Sequence, residues 1–331
     1  MGGYGDFTDI CHKAPLPLCA SVGPITSISS GVGVDTDCFA RNIELANTII
    51  FQGASSFLHI IALGMTIVMI LHIRSKFTAV GRKEILTFFY LFLTLTIFSL
   101  IIDAGVIPVG SGPYPYFVAI QAGFTSALIT CLLINGFVGF QLYEDGTPVS
   151  LWMLRICSFA AWLISFLVAL GTFKSWAGMG PTNTVGLFTV LYLLNGVQLV
   201  IYVVLQVLLV LGTLQDRWPL GDIALGVFFF VVGQVLLYAV SPSICNGTSH
   251  YIDGLLFATI GNLLAVMMVY KYWDSITKED LEFSVGTRVN NWEVKETYPE
   301  EDRRATIYND DPYGQSSSYE YSHSPNRMSR Y

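Results

Sequence analysis

Ionisable side chains within long apolar stretches are the first candidates for chemistry, because an unpaired charge inside a membrane is costly. His59 and Asp103 stand out, and we interpret them as a packing histidine and as an ion-pair or capping partner near a membrane surface. A hydrolytic zinc site would require clustered His and Asp side chains that bind the metal and activate water. The histidines are instead scattered, at His12, His59, His72, His250 and His323. We therefore predict no catalytic residue, no bound metal, no cofactor and no enzymatic activity.

Cysteines offer a second kind of chemistry. Four of the six lie outside the apolar stretches, at Cys11, Cys19, Cys38 and Cys245. In an oxidising compartment these four could form disulfides in any of three pairings. A bridge from the N-terminal segment to Cys245 would hold that segment over the helices, and the alternative is four unpaired thiols. Zinc binding is disfavoured, because the short C-x-x-C pairs of structural zinc sites are missing.

One glycosylation sequon occurs, at Asn246-Gly247-Thr248. It lies next to Cys245 and only a few residues from two apolar stretches, so a glycosyltransferase would have restricted access to it. We predict that Asn246 is unmodified.

The elements that must position these side chains are long and apolar. Hydrophobic residues make up 53% of the 331-residue chain, charged residues only 12%, and the mean hydropathy is +0.57. Soluble domains carry about 25% charged residues, so most of this chain avoids water. Seven stretches have the roughly 20 residues needed to cross a bilayer, over residues 47–73, 85–107, 116–143, 151–173, 185–212, 222–240 and 252–273. The predicted fold is therefore an all-α membrane bundle of seven transmembrane helices.

Lys and Arg side chains predict the orientation of this bundle, because they concentrate on the cytosolic side of membranes. Fourteen of the 17 fall on one side, which includes the loop after the first span with Arg74, Lys76, Arg82 and Lys83. We therefore predict a lumenal N-terminus and a cytosolic C-terminus. The four cysteines outside the spans then share the oxidising side, which supports the orientation independently.

This orientation divides the chain into three regions. Residues 1–46 form a lumenal N-terminal segment, residues 47–273 the seven-helix domain and residues 274–331 a cytosolic tail. After about residue 299 the tail is rich in Ser, Tyr, Asp, Glu and Pro, and we predict disorder because it cannot bury enough apolar surface. Residues 283–294 fit a short strand, a docking segment or a linker. The net charge of −7 provides no basic face for nucleic acid.

The third span carries small or polar residues at a spacing of four, which would let another helix approach closely. They are Ala119, Gly123, Ala127, Cys131, Asn135 and Gly139. Packing within the bundle is the favoured interpretation, and a partner's helix is the alternative.

Two other classes of seven-span protein, a receptor and a small-molecule transporter, are alternatives for the whole chain. A G-protein-coupled receptor would usually end its third span with an acidic-Arg-aromatic triplet, where this chain has Gln141, Leu142 and Tyr143. Transporters often use helices broken by Pro or Gly at a midplane site, and the predicted spans contain no interior proline.

Several segments of the chain resemble the fungal chitin synthase export chaperones. The longest is HIRSKFTAVGRKEI over residues 72–85, in the first predicted cytosolic loop. Shorter ones are F-x-x-I-C over residues 7–11, LPLC over 16–19, CFARNIELANTII over 38–50 and DAGVIP over 103–108. The resemblance continues through all seven spans to WEVKE at residues 292–296.

The resemblance implies an endoplasmic reticulum membrane protein that binds newly made chitin synthase, itself a membrane protein. It would enable export of that client to the cell surface for cell-wall chitin synthesis. Arg74, Lys76, Arg82 and Lys83 would then contact the client, or they set topology and meet anionic lipid of the bilayer. The identity of the client synthase, and whether the chaperone travels with it, stay open.

The tail carries one short acidic run, at Glu300, Glu301 and Asp302. It resembles an acidic export signal that recruits vesicle coat components. Such runs are also common as solubilising segments, and both interpretations stay open.

Overall fold

Seven helices of membrane-spanning length and composition make up most of the computed structural model. They are Gly53–Ser75, Arg82–Asp103, Tyr114–Val138, Pro148–Phe173, Val185–Thr213, Trp218–Tyr238 and Gly254–Thr277, numbered here as spans one to seven. The structure describes residues 4–23, 33–40, 42–45, 48–50, 52–77, 79–140, 146–176, 178–214 and 217–296. The predicted all-α, multi-pass membrane bundle is confirmed.

The ends of the spans differ from the predicted ones for local reasons. Span one begins at Gly53, because the β-branched residues of Thr48–Ile50 pair as an antiparallel strand with Ile43–Leu45. Span six begins earlier than predicted, at Trp218. Pro219 fits the first turn of that helix, where the missing N–H has no partner to lose.

Span five contains an irregular segment, and a hydrogen bond to span three follows directly after it. A π-helical stretch, Thr189–Leu194, separates the α-helical parts Val185–Phe188 and Asn195–Thr213. Directly after it, the Asn195 side chain donates to the hydroxyl of Ser126 at 3.0 Å. Hydrogen bonds between membrane helices contribute about 0.6–2 kcal/mol each, so this contact helps to set the position of span five.

The two ends of the bundle carry different structures. The cap face lies beneath the N-terminal cap, which we define as residues 4–23 and 33–40 and which contains the helix Thr8–Lys13 and the 3₁₀ helix Pro17–Ser21. The short helix Ser241–Gly247, between spans six and seven, lies at the same face. The tail face is the opposite end, with the loop between spans one and two and the loop before span four.

Of the three apolar clusters in the described residues, the two larger ones hold most of the elements together. Near the tail face, Phe88 of span two and Trp273 of span seven belong to one cluster. Near the cap face, Phe7 of the cap packs with Phe173 and Leu187 of spans four and five. The N-terminal cap is therefore part of the core of the bundle.

The chain divides into two compact units, Met1–Asp280 and Leu281–Tyr331. The described part of the second unit is helical, since the last helix is Gly254–Glu296. The strand considered for residues 283–294 is therefore wrong. The acidic run of Glu300, Glu301 and Asp302, and the disorder predicted after residue 299, lie outside the described residues. The division into three regions stays a prediction.

Candidate functional site

The N-terminal cap is anchored over the bundle by buried side chains and hydrogen bonds. Phe7 is buried, and its ring meets the ring of Phe188 in span five edge-on. The hydroxyl of Tyr114, at the start of span three, donates to the carbonyl of Pro17 at 2.9 Å. These contacts close the bundle at the cap face.

Two disulfides join the four cysteines that lie outside the spans. Cys11 pairs with Cys19 within the cap, at a sequence separation of 8. Cys38 pairs with Cys245, at a sequence separation of 207. The first bridge is local to the cap. The second ties the cap covalently to the loop between spans six and seven, which is the arrangement considered from the sequence.

His250 lies directly against the second disulfide. Its Nδ1 is 3.1 Å from Cys38 Sγ and 3.6 Å from Cys245 Sγ. Within the described residues, these are the only three metal-ligating side chains that come together. The two sulfurs are bonded to each other, so they are not thiolates that could hold a metal in this state. Sequence reasoning assigned no role to His250, because nothing in chain order brings it to Cys38.

A buried acidic cluster lies beneath the cap. His59 Nε2 of span one is 2.9 Å from Asp103 Oδ2 of span two, and both side chains are buried. Asp253 precedes span seven, is 1% exposed, and accepts hydrogen bonds from the N–H groups of Leu256 at 3.3 Å and Ala40 at 3.4 Å. Burial raises the pKa of Asp253, the two hydrogen bonds oppose the rise, and the charge of Asp103 adds to it. The expectation that Asp103 pairs with another group is confirmed, and its partner is His59.

Four basic residues in and beside the loop between spans one and two make contacts at the tail face: Arg74, Lys76, Arg82 and Lys83. Lys76 forms an ion pair with Asp274 of the last helix. Lys83 donates to the carbonyl of Gly146, in the loop before span four, at 3.3 Å. The tip of the same loop is different, because Phe77 is 81% exposed. The basic residues therefore shape the tail face as well as charging it.

Glu84 is a buried carboxylate at the tail face that sequence reasoning missed. Its side chain is fully buried, and Oε1 accepts from the N–H of Gly146 at 2.9 Å and from the hydroxyl of Ser150 at 3.2 Å. These bonds hold the loop before span four against the start of span two. One feature of the sequence could have identified Glu84. It is an acidic residue in the first turn of a helix, where the helix dipole favours negative charge.

The row of small residues that begins in span three lies partly inside the bundle. Ala119 and Ala127 are buried. A Cβ on Gly123 would lie 2.9 Å from the ring and 3.0 Å from the carbonyl oxygen of Trp162 in span four. Asn135 donates to a carbonyl one turn earlier in its own helix, at 2.9 Å. Contacts within the chain therefore surround Ala119, Gly123 and Ala127, whereas Gly139 is exposed. The packing role of the whole row stays a prediction.

The sequon residue Asn246 is exposed in the helix Ser241–Gly247. The hydroxyl of Thr248 is 2.9 Å from the carbonyl oxygen of Ile244. The sequon is thus held in helical and turn structure directly beside the disulfide at Cys245. Its lack of modification stays a prediction.

Comparison with known proteins identifies the family. The family model described as chitin synthase export chaperone matches residues 3–287. A chitin synthase export chaperone of Chaetomium globosum is 76% identical over 331 residues, which cover 99% of this chain and 100% of the relative. Relatives of the same description from Neurospora crassa and Aspergillus oryzae are 74% and 67% identical, over 95% and 93% of this chain and 88% and 93% of their own. No solved structure matches. The chain therefore belongs to the chitin synthase export chaperone family.

Proposed function

We propose that this chain binds newly made chitin synthase in the endoplasmic reticulum membrane and enables its export toward the cell surface, as a chaperone and not as an enzyme. The observation that carries the proposal is the family match along residues 3–287. Relatives described as chitin synthase export chaperones are 64–76% identical. Seven membrane-length helices suit a client that is itself embedded in the membrane.

The proposed orientation places the cap face in the lumen and the tail face in the cytosol. The excess of Lys and Arg at the tail face supports it. The two disulfides at the cap face also support it, because an oxidising lumen preserves disulfides. In this orientation the tail reaches cytosolic vesicle coat components, and Glu300, Glu301 and Asp302 are the proposed export signal.

The proposed client contact at the tail face is the loop between spans one and two. Phe77 is 81% exposed, and Arg74 and Lys83 are exposed on either side of it in the sequence. Aromatic and Arg side chains are enriched in protein interfaces, where they supply much of the binding energy. Lys76 and Arg82 are less exposed, and we assign them to holding the shape of the loop.

Deleting the gene and following a tagged chitin synthase tests the proposed function. We expect the synthase to stay in the endoplasmic reticulum, while an unrelated plasma-membrane protein is exported normally. Normal synthase traffic in the deletion strain would contradict the proposal. Arrest of both proteins would also contradict it, because the effect would then be general and not specific to the client.

Phe77→Ser in the full chain tests the proposed contact. Val109→Ser is the matched control, since Val109 is 66% exposed at the cap face. Each variant is purified in mild detergent, and the synthase that copurifies with it is measured. We expect less synthase with the Phe77 variant, although the amount of the variant itself is unchanged. The Val109 variant should recover as much synthase as the unmodified chain. Equal recovery by both variants would exclude Phe77 as a contact and leave the export function to the deletion experiment.

A further inference from the structure

The bridge between Cys38 and Cys245 has an acid–base group placed against it. His250 Nδ1 lies 3.1 Å from Cys38 Sγ and 3.6 Å from Cys245 Sγ. A disulfide sulfur carries no hydrogen, so a hydrogen bond between the two groups has the imidazole N–H as its donor and the sulfur as its acceptor, when Nδ1 carries a proton. A proton on Nδ1 is therefore directed at the atom that becomes a thiolate when the bond opens.

The backbone that presents His250 has an uncommon conformation. Ser249 and His250 have φ angles of 54° and 68°, in the left-handed region that residues other than glycine rarely occupy. Such conformations persist where the surroundings fix them, and they cluster at functional sites. The N–H of His250 donates to the carbonyl of Cys245 at 2.9 Å, which holds the imidazole beside the disulfide.

The imidazole is the solvent-facing part of this group. Cys38 and Cys245 are both buried, whereas His250 is exposed. Of the three side chains, the imidazole is therefore the one in contact with solvent.

The disulfide between Cys11 and Cys19 provides a contrast. Cys19 Sγ contacts the carbonyl of Ala14 at 3.9 Å. The histidine next to Cys11 in the sequence, His12, is paired with Asp37 at 3.2 Å. In the described part of the chain, the imidazole contact thus belongs to the Cys38–Cys245 bridge and not to the bridge within the cap.

We propose that Cys38, Cys245 and His250 form a thiol–disulfide exchange site whose co-reactant is a dithiol of the compartment that the cap faces. A thiolate of the dithiol attacks Cys245 Sγ and the bond between the two protein sulfurs breaks. The electron pair leaves on Cys38 Sγ, which takes the Nδ1 proton of protonated His250, and the imidazole is left neutral.

The exchange is completed by the second thiol of the co-reactant. It attacks the co-reactant's own sulfur in the mixed disulfide, so that Cys245 leaves as a thiolate and takes the proton that this second thiol gives up. Two electrons have then passed from the dithiol to the protein, and the dithiol has become a disulfide. In the closing direction His250 accepts the proton of the Cys38 thiol. Opening releases the cap from the loop between spans six and seven, while Cys11–Cys19 stays closed. This inference does not rest on the export function.

Reduction kinetics of the purified full chain in detergent test the proposal, with dithiothreitol as the dithiol. Alkylation at timed intervals and mass spectrometry give separate rate constants for the two disulfides. His250→Gly suits the positive φ and leaves a cavity for free imidazole, and His250→Asn tolerates the same backbone conformation without an acid–base group. Ser249→Gly is the matched control, because it changes the neighbouring residue of positive φ and keeps the imidazole.

We expect both His250 variants to open Cys38–Cys245 about tenfold or more slowly, since general acid–base catalysis typically contributes a factor of about 100 to 10,000. Added imidazole should restore the rate of His250→Gly, Ser249→Gly should react as the unmodified chain, and Cys11–Cys19 should open at one rate in all four proteins. Unchanged rates in the His250 variants would overturn the proposal. Faster opening would also overturn the proposal, because it would show that His250 only shields the bridge. Slow opening of His250→Gly that added imidazole does not restore would overturn it as well.

Discussion

The crossing of spans six and seven depends on glycine. An ideal Cβ on Gly261 would lie 2.7 Å from the carbonyl oxygen of Phe229 and 3.0 Å from the Cα of Gly233. Both neighbours are backbone atoms, so no side chain can rotate away from an added methyl group. Ordinary contacts begin at 3.4 Å, and the nearest one falls short of that by 0.7 Å. Gly261→Ala therefore requires the two helices to move apart.

The size of the effect follows from two opposing contributions. Overpacking a tight contact costs about 1–3 kcal/mol, and the higher helix propensity of Ala returns at most about 1 kcal/mol. Because rigid backbone opposes the methyl group at Gly261, we expect a net loss of about 1–2 kcal/mol. For a chain of this size, that loss lowers Tm by roughly 1.5–3 °C.

Gly196→Ala in span five is the matched control, since nothing lies within 4 Å of its ideal Cβ. Thermal loss of the monodisperse full chain, followed by fluorescence-detected size-exclusion chromatography in one detergent, gives Tm for both variants. We expect Gly196→Ala to melt at or slightly above the Tm of the unmodified chain, and Gly261→Ala to melt below it. Equal Tm values for the two variants would refute the close approach of spans six and seven.

Three further predictions concern the two faces of the bundle. Glu84→Ala leaves the N–H of Gly146 without its acceptor and should lower the free energy of unfolding by about 1–3 kcal/mol. Glu84→Gln keeps an acceptor oxygen and should lose less stability. An equal fall in Tm for both variants would contradict the assigned bonds. The raised pKa of Asp253 means that its contribution to stability is complete below the ordinary carboxyl pKa and is lost as pH rises through the raised value. The Tm of Asp253→Asn relative to the unmodified chain should thus be higher at neutral than at acidic pH, and a difference that does not vary with pH would count against the burial of this charge. Cys38→Ser removes the disulfide that joins the cap to the loop between spans six and seven. The rate of amide hydrogen exchange in residues 33–40 should therefore rise more than it does in Cys11→Ser. Unchanged protection would show that the cap does not need this disulfide.

The seven spans were predictable because contact with lipid requires a continuous apolar segment, which is visible in the local sequence. Each helix must carry enough apolar residues to cross the bilayer, whatever its neighbours are. The strand Thr48–Ile50 shows where hydropathy alone misplaces the start of a helix. Its apolar, β-branched residues continue the hydropathy of span one, but they favour an extended backbone, so the predicted helix began too early.

The contacts of the candidate site depend on how the helices stack, and no local pattern records that. Four cysteines outside the spans were visible in the sequence, but the partner of Cys38 lies 207 residues away. Glu84 was visible only as one more charge near a span, and its burial depends on the loop that carries Gly146. His250 is isolated from the other histidines in the sequence, and the sulfurs beside it come together only through the fold of the cap. The sequence thus showed which residues could form such contacts, and it did not show which residues would pair.

The proposed function requires a physical association between this chain and newly made chitin synthase during export. Pulse-labelling cells and purifying the tagged full chain in mild detergent at successive chase times measures that association directly. We predict that labelled synthase copurifies early and that the recovered fraction falls as the synthase reaches the cell surface. An unrelated seven-span protein of the same membrane is the control. If this chain recovers no more synthase than the control does at any chase time, the proposed function is wrong.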